Sequence, residues 1–524
     1  MEAILQLDQF EKWVKSRSNS KDLIVKEEER INEALVNMWK NGDIDEQLKD
    51  ELRSQGGQPP RLYGLAKVHK ESVPMRPVLS MPGSPYFKIA SKVTEWLSVI
   101  PESKCQCNTK KVADQLKNLK LEDGEVLVSF DVVSLYTNVP AKEAIKEAAD
   151  RLYSGEFDLP PVDKDTFIQL LTLSSTNVVM STHDGYYIQR DGLAMGSPPA
   201  PLLANIWLYN RETTIKDDAK LFERYMDDVI RSIKIEAVDA KLREVNSIHP
   251  NLKFTVEMEE DSQIPFLDML LIRNDKQVES TWYCKPTDTG LLMNFHALAP
   301  KRYKRGVVNG FVHRIYRACS TWVNFDSSLK RAKSLLERNQ YPADFYEPII
   351  EKVIEKLVKP NDEAEEKPEI LYKVKIQYRG FHTDQFVKYL KESGAPVQVV
   401  LTIQKLKSYL PSLKQRVPMM LRSNLVYKFT CPRCNACYVG KTCRHLASRV
   451  SEYRTKSSEP VFRHMTACGV DKSTTEDNVE VLRVVGGNNS FHLSIMEALY
   501  IRELAPKINT RDEYRDYDLV IALC

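Results

Sequence analysis

Two places in this sequence put carboxylates where apolar side chains would be expected. Asp131 interrupts VLVSFDVVSLY, and the pair Asp227-Asp228 interrupts ERYMDDVIRSI. An acid inside an apolar strand is costly unless it binds something, and a strand is a rigid support for a ligand. Converging carboxylates suit hard divalent cations, which take oxygen ligands. Two such ions about 3.5–4 Å apart can activate a hydroxyl nucleophile and stabilise a leaving pyrophosphate. Adjacent acids point to opposite sides of a strand, but at a tight turn both can reach one cluster. By residue type alone, Asp227-Asp228 could equally be a solvated turn and Asp131 a capping or turn acid.

A second concentration of chemistry lies near the C-terminus. Four of the ten cysteines fall in CPRCNACYVGKTC (Cys431, Cys434, Cys437, Cys443). The N-terminus, MEAILQLDQFEKWVK, meets acids at once and does not read as a secretory signal. Clustered cysteines in such a chain argue for metal binding over disulfides. No run of about 18 apolar residues occurs, so no membrane span is expected.

The elements that must position these groups follow from periodicity. At 524 residues the chain is too long for one core. Residues 5–55 carry apolar residues at helical spacing and GGQPP (56–60) ends them. EVLVSFDVVSLY (125–136) reads as a buried strand and 141–152 as a helix, while KFTVEME, PFLDMLLIR and STWYCK read as consecutive strands. Residues 307–358 return to helix, and KPNDEAEEKPE (359–369) is an acidic, proline-containing linker. Strand and helix mix over 370–423, and a last compact unit spans 424–515. Net charge is only +3, yet no acid stands between Asp288 and Asp326, where Lys301, Arg302, Lys304, Arg305, Arg314 and Arg317 cluster. From Ser393 to Ser451 there is again no acid, with ten Lys or Arg. Such stretches suit contact with phosphate backbones, although solvated faces balanced by acids elsewhere explain them as well.

SFDVVSLYTNVP, GLAMGSPPAPLLANIW and RYMDD, in this order, resemble the three central palm motifs of reverse transcriptases, and RLYGLAKVHK with PMRPVLSMPGSP resembles the fingers motifs. HPNLKFTVEME and IPFLDMLLIR are similar to the strands that follow, and KPTDTG with ALAPKRYKRGVVNGFVHRIYRACS resembles Penelope-like retroelement proteins. The resemblance implies a multidomain α+β protein built as a right-hand polymerase. Residues 1–60 would be a helical segment, 61–285 fingers and palm, and 286–358 the thumb. Asp131, Asp227 and Asp228 would hold two Mg²⁺. Tyr136 would be the steric gate against a ribonucleotide 2′-hydroxyl. Gly196, Ser197 and Pro198 would support the incoming base and template, and Lys67 and Arg76 would meet the triphosphate. Lys253 stands where the family often has a cation.

LVYKFTCPRCNACYVGKTCRHLASRVSEYR resembles a GIY-YIG nuclease, a small α/β domain. Leu425-Val426-Tyr427 departs from glycine-isoleucine-tyrosine, and Tyr438-Val439-Gly440 is the second motif. Arg449 and Tyr453, at i and i+4, share a helix face; Glu497 and PKIN (Pro506 to Asn509) complete the pattern. The resemblance implies Tyr427 or Tyr438 as base, its phenol pKa lowered by positive charge, with Arg449 on the phosphate and Glu497 holding one Mg²⁺. It also implies a structural Zn²⁺ at Cys431, Cys434, His464 and Cys468, with Cys437 and Cys443 as alternative ligands.

Together these imply an RNA-directed DNA polymerase coupled to DNA nicking for target-primed reverse transcription. Its partners would be an RNA template, a DNA primer or target and deoxynucleoside triphosphates, with a nuclear location following from the DNA target. The competing expectation is an inactive or domesticated nucleic-acid-binding derivative. The short sequence ahead of the fingers motifs suggests truncation, whereas the intact acids speak against decay.

Overall fold

The computed structural model describes residues 10–12, 23–68, 73, 75–104, 107–217, 219–359, 372–405, 409–411, 417–486 and 490–509. Nearly all of the acidic segment expected as a linker lies outside these residues. The chain is mixed α/β and forms two compact units, each discontinuous in sequence: 1–104 with 134–210 and 414–524, and 105–133 with 211–413. The stretch 61–285 is therefore divided between them. Among the described residues no helix is long and apolar enough to cross a membrane.

The second unit is built on a four-stranded sheet ordered Phe222–Tyr225, Asp228–Lys234, Glu125–Val132, Phe254–Met258. All its pairings are antiparallel. Strand 228–234 lies between two others and its interior residues 229–233 are all buried, which is why it reads as an apolar run rather than an alternation. It even buries Arg231, whose guanidinium donates to the Ile215 carbonyl at 2.6 Å. A three-stranded meander follows: Gln263–Phe266, Met269–Asn274 and Gln277–Trp282. PFLDMLLIR, expected as one strand, is two, because the chain turns at Leu267 with φ +57°.

Helices Lys301–Ala318, Trp322–Arg338 and Ala343–Val358 come next. Val308, Val312 and Ile315 recur at helical spacing and pack with Phe325, Leu329 and Ile350 into one core with Met269 and Trp282. Thr321 caps the second of these helices by accepting from the Asn324 N–H at 3.2 Å. Beyond them stand two parallel strands, Tyr372–Gln377 and Val397–Thr402, around the helix Phe381–Glu392.

The first unit carries a five-stranded sheet ordered Phe10–Lys12, Gly185–Gln189, Val178–Thr182, Arg61–Ala66, Met75–Ser80. Helix Ala141–Leu152 starts straight after Pro140 and buries Ala144, Ile145, Ala148, Ala149 and Leu152, the i, i+3/i+4 stripe of an amphipathic helix. In the same unit the strands Cys437–Thr442, Leu425–Thr430 and Val479–Val484 form an antiparallel sheet in that order. Helices Leu446–Thr455, Pro460–Ala467 and Ser490–Leu504 belong to this C-terminal module.

Candidate functional site

The three aspartates meet through strand register. Asp131 is the Cα partner of Asp228 across the two central strands. Directly opposed residues put their Cβ atoms about 4.5–5.5 Å apart on one face of the sheet. Tyr225 also pairs with Asp228, which leaves Met226 and Asp227 as a two-residue hairpin loop. Met226 takes φ +57°, the left-handed backbone that two-residue hairpins need. The ladder runs on into that loop: the Val132 N–H donates to the Asp227 carbonyl at 3.1 Å, fixing Asp227 beside the end of the Asp131 strand. On the far side the Val133 N–H donates to the Lys253 carbonyl at 2.8 Å.

The electrostatics follow from this crowding. Asp228 keeps an exposed edge, yet the protein packed about its carboxylate, followed by the charges of Asp227 and Asp131, pushes its pKa up to about 6. Lys285 opposes the shift and Glu257 adds to it. No local pattern in the chain singles out either of these two. A carboxylate cluster that raises its own proton affinity suits divalent cations, which replace the proton and cancel the repulsion. The hard oxygen donors fit Mg²⁺ by type.

The other residues expected at this site belong to the first unit. Tyr136 lies in the short helix Leu135–Asn138, and its carbonyl accepts from the Leu193 N–H at 2.6 Å. Gly196 has φ +108°, and a Cβ there would lie 2.1 Å from the Leu79 carbonyl oxygen, so only glycine fits. The adjacent Ser197 hydroxyl is buried without a hydrogen-bond partner among the described residues, the kind of orphan that a ligand or water satisfies. Arg76 is exposed and pairs in register with Leu65, two residues before Lys67.

In the C-terminal module, strand 425–430 buries Tyr427, and the helix 446–455 turns Arg449 and Tyr453 toward it. Arg449 Nε donates to the Tyr427 hydroxyl at 3.2 Å, and the Tyr427 and Tyr453 hydroxyls are hydrogen-bonded. The guanidinium lies over the Tyr453 ring, 4.9 Å from its centroid. Glu452 and Glu459 hold its Nη1 at 2.8 and 2.9 Å. Burial alone would raise Glu452, but hydrogen bonds from Arg444, Lys456 and Arg449 hold it at about 2. Gly440 is required by close approach: a Cβ would lie 2.7 Å from the Tyr427 hydroxyl and equally near the Tyr438 ring. Asn509 brackets strand residue Val439 with two hydrogen bonds of 2.8 and 2.7 Å.

One expectation is reversed here. Positive charge does not lower the Tyr427 phenol overall: burial pushes it up and outweighs Arg449. Burial likewise raises Tyr453. Glu497 faces Lys441 at 3.0 Å, an ion pair unforeseen although Lys441 directly follows Tyr438-Val439-Gly440.

Ligand atoms of Cys431, Cys434, His464 and Cys468 all lie within 4.8 Å of one another. Cys434 Sγ is 3.3 Å from His464 Nε2 and 3.8 Å from Cys468 Sγ, and Cys468 Sγ is 3.5 Å from that nitrogen. Tetrahedral zinc, with Zn–S about 2.3 Å and Zn–N about 2.0–2.1 Å, needs ligand separations of roughly 3.5–3.8 Å. The donor set therefore fits zinc in type, and the separations among Cys434, His464 and Cys468 lie near that spacing. The turn is shaped by Asn435 at φ +58° and by the Cys431 N–H donating to the Ala436 carbonyl at 2.9 Å. Cys437 and Cys443 stand outside the cluster.

A family model described as an animal helix-turn-helix domain matches residues 291–351, a stretch that includes the helices 301–318 and 322–338. No curated protein matches the chain. Among solved structures, a telomerase from Candida albicans with a fragment of telomeric RNA is 10% identical, with 70% of this chain and 63% of that chain covered and a TM-score of 0.38. The chain thus spans less than two thirds of that telomerase chain. The Sicinivirus 3Dpol RNA-dependent RNA polymerase is 11% identical over 60% of this chain and 71% of its own, with a TM-score of 0.37. A human picobirnavirus RNA-dependent RNA polymerase is 12% identical over 58% and 62%, with a TM-score of 0.35.

Two outcomes are expected. An acid whose folded pKa is raised weakens the fold once ionised, and that penalty is relieved as pH falls through about 6 toward its ordinary value of 3.8. Asp228→Asn should therefore raise the metal-free thermal midpoint at pH 8. The advantage should shrink below pH 6, vanish near pH 4, and disappear at pH 8 when Mg²⁺ is added. An unaltered midpoint at pH 8 would show that the three carboxylates do not strain one another. For the sulfur cluster, elemental analysis of the full chain should find one zinc, lost in Cys434→Ser. Zinc-free wild-type protein would remove the four-ligand set.

Proposed function

We propose that the chain is an RNA-directed DNA polymerase of the Penelope-like kind, with a C-terminal GIY-YIG module that nicks DNA. The observation that carries the reading is the register pairing of Asp131 with Asp228, with Asp227 in the adjoining hairpin loop. The reaction joins a primer 3′-hydroxyl oxygen to the α-phosphorus of a deoxynucleoside triphosphate and breaks the bond to the pyrophosphate oxygen. Divalent cations, when bound, supply the positive charge that lowers the hydroxyl pKa and stabilises the leaving group. The protein's part is to hold two carboxylates opposed on a rigid sheet and a third in the adjoining hairpin loop, so that little reorganisation is needed at the moment of reaction. In the first unit, Tyr136, Gly196, Ser197, Pro198, Lys67 and Arg76 are the residues to which the resemblance gives nucleotide and template contacts.

Helix 301–318 would follow the phosphate backbone. Arg302, Arg305, Arg314 and Arg317 are exposed along it, and guanidinium groups suit phosphate. The partial match of this region to a helix-turn-helix family supports the same role.

In the nicking module Arg449 would face the scissile phosphate, and Glu497 would release Lys441 to take Mg²⁺. Tyr427, held protonated by burial, would aim Arg449 instead of acting as base, which leaves Tyr438 for the proton. The four-ligand cluster would hold zinc and fix the turn between the two tyrosine strands.

Primer extension on an RNA template with Mg²⁺ tests the first activity. Wild type should incorporate deoxynucleotides and Asp227→Ala should fall to background; equal incorporation by the two would overturn the polymerase reading. For the second, Arg449→Ala should nick supercoiled plasmid roughly 10²–10³-fold more slowly, the usual loss of a group stabilising a charged transition state. Nicking unchanged in that variant would take Arg449 out of the reaction.

A further inference from the structure

The Gly56-Gly57 pair does more than end the N-terminal helical segment. Helix Leu23–Asn41 presents Glu28, 8% exposed, to this turn. Its carboxylate accepts from the Ser54 hydroxyl at 2.7 Å and from the Gly56 and Gly57 N–H groups at 3.1 and 2.8 Å. The remaining approach is taken by His445 of the C-terminal module, whose Nδ1 is 3.3 Å from Glu28 Oε2. His445 is 1% exposed, and its Nε2 lies 2.8 Å from the Gly57 carbonyl oxygen.

Further contacts join the same two segments. Gln58 donates to the Leu421 carbonyl at 2.6 Å, and the Ser423 hydroxyl donates to the Gly56 carbonyl at 2.7 Å. Ile24, Val25 and Leu421 form a buried cluster. Both glycines are needed by close approach. At Gly56 a Cβ would meet Ser423 Cβ at 2.3 Å and the Cys443 carbonyl at 2.6 Å; at Gly57 it would meet Pro85 at 2.7 Å.

His445 stands at the N-terminus of helix 446–455, as its N-cap, and makes no side-chain cap bond there. Its carbonyl accepts from the Ser448 and Arg449 N–H groups, so it sets the first turn. Its neighbour Arg444 donates to Glu452, which also holds Arg449. The buried imidazole therefore anchors the start of the helix that aims Arg449.

We propose that Glu28, acting through His445, is a positioning residue for Arg449, so that the N-terminal helical segment is a working part of the proposed nicking site. This rests on the reading of Arg449 as the phosphate-facing group. Misplacing a catalytic group by about 1 Å can cost on the order of 10²-fold in rate, whereas substrate binding by the rest of the surface need not change.

The test uses the full chain with Glu28→Ala, His445→Ala, both together, and Glu28→Gln. Amide hydrogen exchange should speed up at least tenfold in helix 446–455, while strands 125–132 and 228–234 keep their protection, showing that the protein is folded. Nicking kcat should fall roughly 10- to 100-fold with KM for plasmid unchanged, and primer extension should be unaltered. The double variant should be no worse than either single one, because the two side chains act as one link. Glu28→Gln, retaining one oxygen acceptor, should recover part of the loss. Unchanged exchange in helix 446–455, or losses that multiply in the double variant, would overturn the proposal. Should wild type not nick, the nuclease reading fails while the exchange comparison still decides whether Glu28 holds the helix.

Discussion

Like charges placed directly opposite one another on a sheet destabilise it, yet the central strand pair of the second unit opposes Asp131 to Asp228. That repulsion is what the surrounding structure has to withstand. The seven paired positions from Glu125↔Lys234 to Asp131↔Asp228 fix the register, and a slip of one residue would turn one aspartate to the other face. Burial along strand 228–234 makes such a slip costly, since Val229, Ile230 and Ile233 would have to change places with their neighbours. The apolar sheet is thus the support for the charged site, and the raised proton affinity of Asp228 reflects first its burial and then the charges of Asp227 and Asp131.

The C-terminal module solves a different problem, a half-buried cation. Arg449 is surrounded by two carboxylates, a phenol hydroxyl and an aromatic face. A guanidinium with five donors in a fixed fork can satisfy all of these in one orientation. The network sets that orientation from several elements at once: strand 425–430 through Tyr427, helix 446–455 through Glu452 and Tyr453, and Glu459 ahead of the next helix. The two tyrosines are tuned by burial more strongly than by the charge beside them. The same environment that aims the guanidinium keeps Tyr427 protonated.

What could be read from the sequence followed the range of the interaction. Periodicity located helix 141–152 at its observed bounds, because it depends on neighbours a few residues away. The set Cys431, Cys434, His464 and Cys468 came from the family resemblance and not from a local pattern, since Cys431 and Cys468 are far apart in sequence. Leu267 could not be recognised as a turn, since a branched side chain at positive φ is imposed by the strands on either side of it. Lys285 beside Asp228, Lys441 on Glu497 and His445 on Glu28 are tertiary pairings between ordinary polar or charged residues, and no local pattern marks them. Nor did chain order reveal that the stretch 61–285 is divided between two units, since that depends on which segments pack together.

The two acid-free stretches show why charge in sequence is not charge in space. From Ser393 to Ser451, Lys428 is paired with Glu480, Lys441 with Glu497, Arg444 with Glu452, and Arg449 with Glu452 and Glu459. Four of that stretch's basic side chains are therefore held by acids lying later in the chain, so they do not form a free basic surface. Along helix 301–318 the situation differs: Arg302, Arg305, Arg314 and Arg317 are exposed on a helix that contains no acid. Counterion release rewards charge that is free to meet phosphate. In the proposed function the two stretches, indistinguishable by composition, would take different tasks: one would hold a single phosphate in place, and the other would follow a backbone over several nucleotides.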